Sequence, residues 1–430
     1  MVENFVLLPN TIYRLKYLDK KYHYIIWEHP HYYKSYNYNK KKLILHKATQ
    51  LYYYDYLKNA DYNVSYLKLN STFKYKKYFI FDPIDKLDLP GNYNIVESKN
   101  FFLSKEDYKL YYKKTQKFVF NNFYLWAKKR LDIIPELKST DKENRNRLAK
   151  GVEIPKNITF NSSKDYVDKA VKFVEKNFKD NYGETKNFNL PITHMDSIRL
   201  LKNFLEKKFK LFGKYQDAVD KDNNTLFHSL LSSSINIGLL HPLEIVKAIS
   251  PYQEKVDVNS YEAFIRQLFW REYQRYTYLY VDFSGNYLNL NNKLTKEWYS
   301  GELGIPPVDD SIKLAFKTGY LHHIERLMII GNYMVLNNIN PSEVFRWFME
   351  FSTDSYLWVM YQNVLDMVCF STGGKTMRRP YFSSSNYVLK MSNYKKGEWS
   401  KTWDSKYYDF IESHKEKLWK YRYYFRFKKH

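Results

Sequence analysis

A single cysteine, Cys369, stands in 430 residues. That excludes an intramolecular disulfide and any multi-cysteine metal cluster built by this chain alone. No apolar run approaches the ~18–20 residues a membrane-spanning helix needs, so no membrane segment is expected. The opening MVENFVLLPN lacks a basic region before a long apolar core, which argues against a cleaved leader and for an intracellular, non-secreted protein. Sequons such as Asn157-Ile158-Thr159 then read as chance matches. Gly-x-Gly-x-x-Gly is absent, so the dinucleotide fingerprint is missing, and no repeat period recurs. Acidic residues are the scarce charge: 46 Asp+Glu against 69 Lys+Arg leave a net +23. An excess of that size suits a polyanion, because each phosphate neutralised releases counterions. Heavy use of Lys, Asn, Tyr, Phe and Ile leaves compositional drift as a competing source of the same charge. Hydrophobic residues make up 44%, enough for sizeable cores and for two or three domains.

The first ~95 residues alternate strand and helix patterns. Phe5–Leu8, Tyr24–Trp27, Tyr66–Leu69 and Tyr78–Phe81 are apolar runs of strand length, and Leu43–Leu57 carries apolar residues at helical spacing. Alternation of this kind predicts a parallel sheet with right-handed crossovers. Tyr108–Leu131 predicts a helix closed by Pro135. The polar stretch 136–189, with one amphipathic segment near Tyr166–Phe178, reads as a connector. From Pro191 onward the periods are helical almost throughout, apart from a loop-rich interruption at Asn286–Pro307 and a basic, aromatic C-terminus. The expected fold class is therefore α/β followed by all-α, with units at 1–135, 136–189 and 190–430.

Four segments carry chemistry. Gly213–Ala218 precedes Leu226–Asn236, a hydroxyl-rich turn entering a helix; it could offer O–H and N–H donors to an anion or be a plain N-cap. Arg266–Tyr276 interleaves Trp270 and Tyr273 with Arg271 and Arg275, which suits a nucleotide beside a phosphate or an amphipathic helix with a charged rim. Gly319–Asn363 sets His322, His323, Arg326 and Asp354 among apolar residues. Arg326 and Asp354 fall on different helices and could form a buried pair. The histidines serve either as core residues or as proton carriers. A zinc role fails for want of further ligands nearby. Gly373–Tyr381 is a glycine turn followed by Lys375, Arg378 and Arg379, suited to a phosphodiester backbone or to an ordinary basic loop.

In this order the segments resemble the cryptochrome/photolyase family, in the branch of iron–sulfur bacterial cryptochromes and (6-4) photolyases. The resemblance rests on Tyr38-Asn39-Lys40-Lys41-Lys42, Asp141–Arg145, Lys214–Ala218, Trp270–Tyr273, His322–Met328 with Gly331-Asn332, Asp354–Asn363, and Arg379-Pro380-Tyr381 through Met391-Ser392. It implies an N-terminal Rossmann-like antenna domain and a C-terminal helical domain that binds FAD. It implies cofactor contacts from Tyr215, Ser229, Leu231, Ser232, Arg271, Arg326, Asp354 and Met360. Trp347 matches the proximal electron-relay tryptophan, Trp298 falls near a second relay position, and Phe348 replaces a tyrosine common in the branch. His323, with His322 beside it, matches the proton donor to a (6-4) lesion, and Glu272 and Tyr381 are implied in the lesion pocket. Lys375, Arg378 and Arg379 are implied in binding UV-damaged DNA. The expected protein is thus a monomeric, light-driven DNA-repair flavoprotein; a blue-light receptor without repair and a non-photochemical nucleic-acid-binding descendant are the alternatives.

Two departures matter. The branch's cluster cysteines are replaced, with Ser311, Lys395, Glu398 and a residue near Trp403 in their places, so no iron–sulfur cluster is expected. Trp399, Trp403 and Tyr407 are expected to fill that volume. Leu8-Pro9-Asn10-Thr11 also replaces the usual Gly-Asp-Gln turn, which sets a lumazine-type antenna in question.

Overall fold

A computed structural model describes residues 2–140, 143–161, 163–425 and 427. Asp141 and Lys142, which open one of the resemblance motifs, lie outside the described residues. Strands β1 (Asn4–Leu7), β2 (His23–Trp27), β3 (Val64–Leu67), β4 (Lys77–Phe81) and β5 (Asn92–Val96) form one parallel sheet in the order β3-β2-β1-β4-β5. The strand order reverses at β1, where Phe5 is in register with Tyr24 on one side and Phe79 on the other. Four of these strands are the apolar runs of the sequence. The fifth, Asn-Tyr-Asn-Ile-Val, is absent from the sequence-based expectation: it is an edge strand with mostly exposed side chains, so it has no apolar run to show.

Helix α1 (Lys40–Lys58) starts where the Asn39 side chain accepts from the Lys41 amide. From Lys41 to Gln50 it is buried on all sides, lysines included. The connector's amphipathic segment forms α4 (Lys164–Asn177) and folds back against α1. Between them, the helix expected over 108–131 is two helices, α2 (Lys105–Thr115) and α3 (Phe120–Leu131). Gln116 breaks them with φ at 49°, and Asp132 ends α3 with φ at 53°, three residues before the expected stop at Pro135. Both share an aromatic core with α8 (Val258–Tyr280), including Tyr108, Tyr111, Phe123, Phe269 and Tyr276. A boundary at 135 therefore falls after two helices that pack away from the sheet.

The helical region also contains α5 (His194–Lys207), α6 (Phe209–Tyr215), α7 (Ser232–Asn236), α9 (Pro306–Thr318), α10 (Pro341–Phe351) and α11 (Glu398–Ser413). Gly319 stops α9 with φ at 70°, and a Cβ there would meet Thr353 Cγ2 at 2.6 Å. Two segments, Glu325–Gly331 and Tyr361–Val368, are π-helical. They pack on each other because Gly331 has no side chain; a Cβ there would lie 2.6 Å from Val368 Cγ1. Such π turns insert an extra residue per turn and recur at functional sites. Around the replaced cysteine positions, Ser311 donates to the Pro307 carbonyl, and Trp399, Trp403 and Tyr407 are buried. Trp403 lies 4.8 Å from Tyr333 and 6.1 Å from Trp399, ring to ring.

Candidate functional site

The two π segments, α7, one face of α8 and the loop 374–383 enclose a cavity of about 1010 Å³. That is the upper end of the range for small-molecule sites. On α8, Trp270, Arg271 and Gln274 face it. Glu272 does not. It is fully buried on another side of the helix, accepting from the Phe102 and Leu103 amides at 3.1 Å each and from the Tyr108 hydroxyl at 2.7 Å. Successive helical residues point ~100° apart, so Glu272 turns away from the cavity that Arg271 faces, touching it only through a 4.0 Å ion pair, and the expectation of Glu272 in the pocket is corrected. Arg275, grouped with Arg271 in the sequence, likewise pairs elsewhere, with Asp82 at 3.2 Å and Glu97 at 3.0 Å.

Arg271 is buried over the rings of Phe101 and Trp358, at 4.3 and 4.8 Å. Its Nε donates to Asn236 Oδ1 at 3.0 Å and Nη1 to the Asn100 carbonyl at 2.6 Å, while Nη2 has no partner. Burial lowers its pKa to about 10, so it stays cationic at neutral pH. Asn236 in turn donates to the Asp354 carbonyl at 3.0 Å.

Arg326 leaves the first π segment and forks onto Asp354, Nη1 to Oδ1 at 3.0 Å and Nη2 to Oδ2 at 3.3 Å. Its Nε donates to the Leu321 carbonyl at 2.7 Å. Burial pushes the Asp354 carboxyl up, but the Arg326 charge and hydrogen bonds from Ser232 and Ser352 outweigh it and hold the pKa below its usual value. The fork is therefore an ion pair with planar, directional geometry.

Beside it, His228 stacks on His322 at 4.8 Å and 14°. Neither His322 ring nitrogen nor His228 Nε2 has a hydrogen-bond partner. His322 Nε2 stands 3.6 Å from Glu325 Oε2, too far to bond. Burial pushes His228 down to about 3 and His322 well below its ordinary value. Burial raises Glu325 to about 8 against the opposing effects of the His322 amide and Arg326, so it carries a proton at neutral pH. His323 lines the cavity with its side chain still open to solvent; partial desolvation there and the nearby Arg326 charge lower its pKa below the ordinary histidine value.

Ser229, Leu231, Ser232, Met360, Tyr381, Lys375, Arg378 and Arg379 also line the cavity. Tyr215 does not: at the end of α6 it stacks under Phe227 at 5.6 Å, away from the wall. Trp347 and Trp298 stand behind the wall, fully or nearly buried, with Trp347 Nε1 donating to the Trp298 carbonyl at 2.7 Å. Sequence reasoning missed Asp366, whose carboxylate accepts from the amides and hydroxyls of both Thr372 and Thr376. It ties the basic loop to the second π segment. An acid six and ten residues before two threonines was the only trace of it. His228 and Glu325 were also passed over, because burial rather than spacing defines them.

Among the described residues, no cluster of His, Cys, Asp and Glu is placed to hold a metal, and no helix is long and apolar enough to cross a membrane.

Comparison with known proteins follows this geometry. The profile of the family described as deoxyribodipyrimidine photo-lyase-related protein matches residues 8–84 and 82–190. A (6-4) photolyase of Agrobacterium fabrum is 35% identical over 296 residues, 65% of this chain and 58% of that protein. The chain thus aligns with less than two thirds of that relative's length. Uncharacterized protein R855 of Acanthamoeba polyphaga mimivirus is 55% identical over 92 residues, 21% of this chain and 75% of that protein. The crystal structure of a class III photolyase from Agrobacterium tumefaciens superposes with a TM-score of 0.54 at 13% identity, covering 97% of this chain and 91% of that one. A Synechocystis cryptochrome gives 0.59 at 12% identity over 97% and 89%. At such identities the two structures speak for the fold alone, an α/β domain joined to a helical one.

Proposed function

We propose that the chain is a member of the cryptochrome/photolyase family, as its likeness to the photolyase-related profile and the (6-4) photolyase suggests, and that it is a light-driven DNA-repair flavoprotein of the (6-4) photolyase type, with FAD in the cavity and a flipped lesion above it. The observation that carries this reading is the Arg326–Asp354 fork on the wall of a cavity whose other buried polar groups, Arg271 Nη2 and the His322 ring nitrogens, lack partners. Groups of that kind are costly to bury unless something takes them up.

FAD fits this donor set. Ser229, Ser232 and the backbone near Leu231 would meet its phosphates, Arg271 would add a cation, and Arg326 and Asp354 would meet the flavin ring beside Met360. When bound and reduced, FAD supplies an electron on absorbing light. The chain's own residues do the rest. Lys375, Arg378 and Arg379 hold phosphates, which offsets the few kcal/mol that flipping a base costs. Tyr381 borders the flipped base. His323 gives a proton to the lesion; it is neutral in the free protein, and negative charge entering the cavity raises its pKa toward the working range. Trp347 and Trp298 would relay electrons toward the flavin.

The test is light-dependent restoration of a (6-4) photoproduct in an oligonucleotide by the FAD-loaded chain. Repair is expected, and His323→Ala should slow it by about 100-fold or more. Retained flavin with no repair would favour a light receptor, and wild-type repair by His323→Ala would remove the acid role.

A further inference from the structure

The C-terminal basic and aromatic segment has no part in the function so far. Its composition alone suits a solvated tail or an added helix, yet it is moored. The Tyr287 hydroxyl donates to the Lys417 carbonyl at 3.2 Å, and Lys417 Nζ donates to the Tyr287 carbonyl at 2.8 Å. Lys420 Nζ and the Tyr421 hydroxyl both donate to the Gly373 carbonyl, at 3.2 and 3.3 Å. Gly373 opens the loop that carries Lys375, Arg378 and Arg379, so the segment is fixed to the rim of the cavity. Phe425 anchors its far end in the core, near-parallel to Phe382 at 6.3 Å.

Between these anchors runs the 3₁₀ turn Trp419–Tyr424. Side chains three apart eclipse in such a turn, so Arg422 lies over Trp419, and it also covers Tyr423, with its guanidinium 5.4 and 4.7 Å from the ring centres. The rings themselves are open to solvent: Trp419 is 51% exposed, Tyr423 85% and Tyr424 55%. Three large aromatics that stay largely open to solvent on one short, tethered turn, with Trp419 leaning on Phe427 at 5.8 Å, call for a partner with flat apolar faces. The Arg422 and Arg379 guanidiniums over these rings favour an anionic partner, against the Glu412 and Glu416 carboxylates beside Trp419. Tyr424 completes the link, because it borders the cavity and takes Arg379 over its ring at 4.8 Å.

We propose that Trp419–Tyr424 is a stacking surface for unpaired bases of a nucleic-acid strand, placed beside the cavity mouth so that it engages nucleotides next to a flipped one. Bases stack on aromatic side chains without regard to sequence, while the adjoining cations follow the backbone. A duplex hides its base faces, so the surface distinguishes single from double strands. The position beside the cavity rests on the repair reading; the surface itself does not.

The experiment uses the full-length protein in the dark with labelled, undamaged oligonucleotides, so it stands whether or not repair occurs. Anisotropy should show Trp419→Ala/Tyr423→Ala losing about 10-fold or more in affinity for an oligothymidine strand, with little change for duplex and the same salt dependence as wild type. Trp419→Phe/Tyr423→Phe, which keeps the rings, should retain most of the affinity. Lys375→Ala/Arg378→Ala should instead flatten the salt dependence by about 0.7 for each phosphate left without its cation. Wild-type single-strand binding by the double alanine variant would overturn the proposal. Equal losses on single strand and duplex would overturn it too, as would an alanine-sensitive association with anionic lipid vesicles without any effect on the oligonucleotide.

Discussion

Two buried polar clusters in this molecule contrast in how they are satisfied. Under the sheet, Glu28 accepts from Lys47, from the Tyr66 hydroxyl at 2.6 Å and from the Leu69 amide at 2.8 Å. Nearby, His46 bonds the Tyr32 carbonyl and the Tyr356 hydroxyl, and Asp85 accepts the amides of Leu357 and Trp358 at 3.1 and 3.0 Å. Lys42 is held by Ser355 and lies over Tyr38 and Tyr356. Every charged or imidazole group named there has a protein partner. Around the cavity the same kinds of group are left open: His322 at both nitrogens, His228 at one and Arg271 at one. Both clusters look alike in sequence, as charge set among apolar residues. The closed one holds the sheet to the 355–358 segment and is complete as it stands, whereas the open one keeps donors and acceptors in reserve, which in the proposed reading a ligand takes up.

The largest effect should come from opening the closed cluster. Glu28→Ala leaves Lys47 buried without its carboxylate, and the Tyr66 and Leu69 donors without an acceptor. Chemical denaturation should show a loss of about 3–5 kcal/mol. A loss below about 1 kcal/mol would mean that water repairs the site and that the contrast with the cavity is overdrawn.

A smaller effect sharpens the open side. Glu325 has a folded pKa raised to about 8 from an ordinary 4.5. The folded state then binds a proton that the unfolded state releases, so stability declines as pH rises from about 4.5 to 8, by up to about 1.4 kcal/mol per unit. His228 and His322 act the other way. Their lowered values remove stability as pH falls below about 6.5. The groups around Glu325 are His322, with His228 stacked on it, Arg326, and the phenols of Tyr320 and Tyr394. Glu325→Gln should abolish the decline above pH 6.5 in flavin-free protein and keep the acid limb. Denaturation midpoints that fall equally with pH in both proteins would assign the decline to another group.

Much of this was legible because it depends on period and type. Apolar runs gave four strands, and the separation of Arg326 from Asp354 already placed a cation and an anion on different elements, although Asp354 sits in the turn after α10 and not on a helix as expected. What was illegible depends on things that leave no pattern. The strand Asn92–Val96 is exposed, so nothing apolar marks it. The π turns at Glu325–Gly331 and Tyr361–Val368 keep an α-like composition while shifting which side chains face inward. Tyr215 sits at a helix end whose following loop turns it under Phe227. Glu272 was placed in the pocket by the resemblance, although on the helix it diverges from Arg271 and faces Phe102, Leu103 and Tyr108. The C-terminal turn looked like a tail because its tethers, Tyr287 and the Gly373 carbonyl, come from residues far away in the chain.

If the open cavity is a flavin site, the absorption spectrum of the purified protein after incubation with FAD and gel filtration should show one flavin retained per chain, with its visible bands in the protein peak, and loss of those bands in Arg326→Ala. A folded, colourless wild-type protein after the same treatment would contradict that reading.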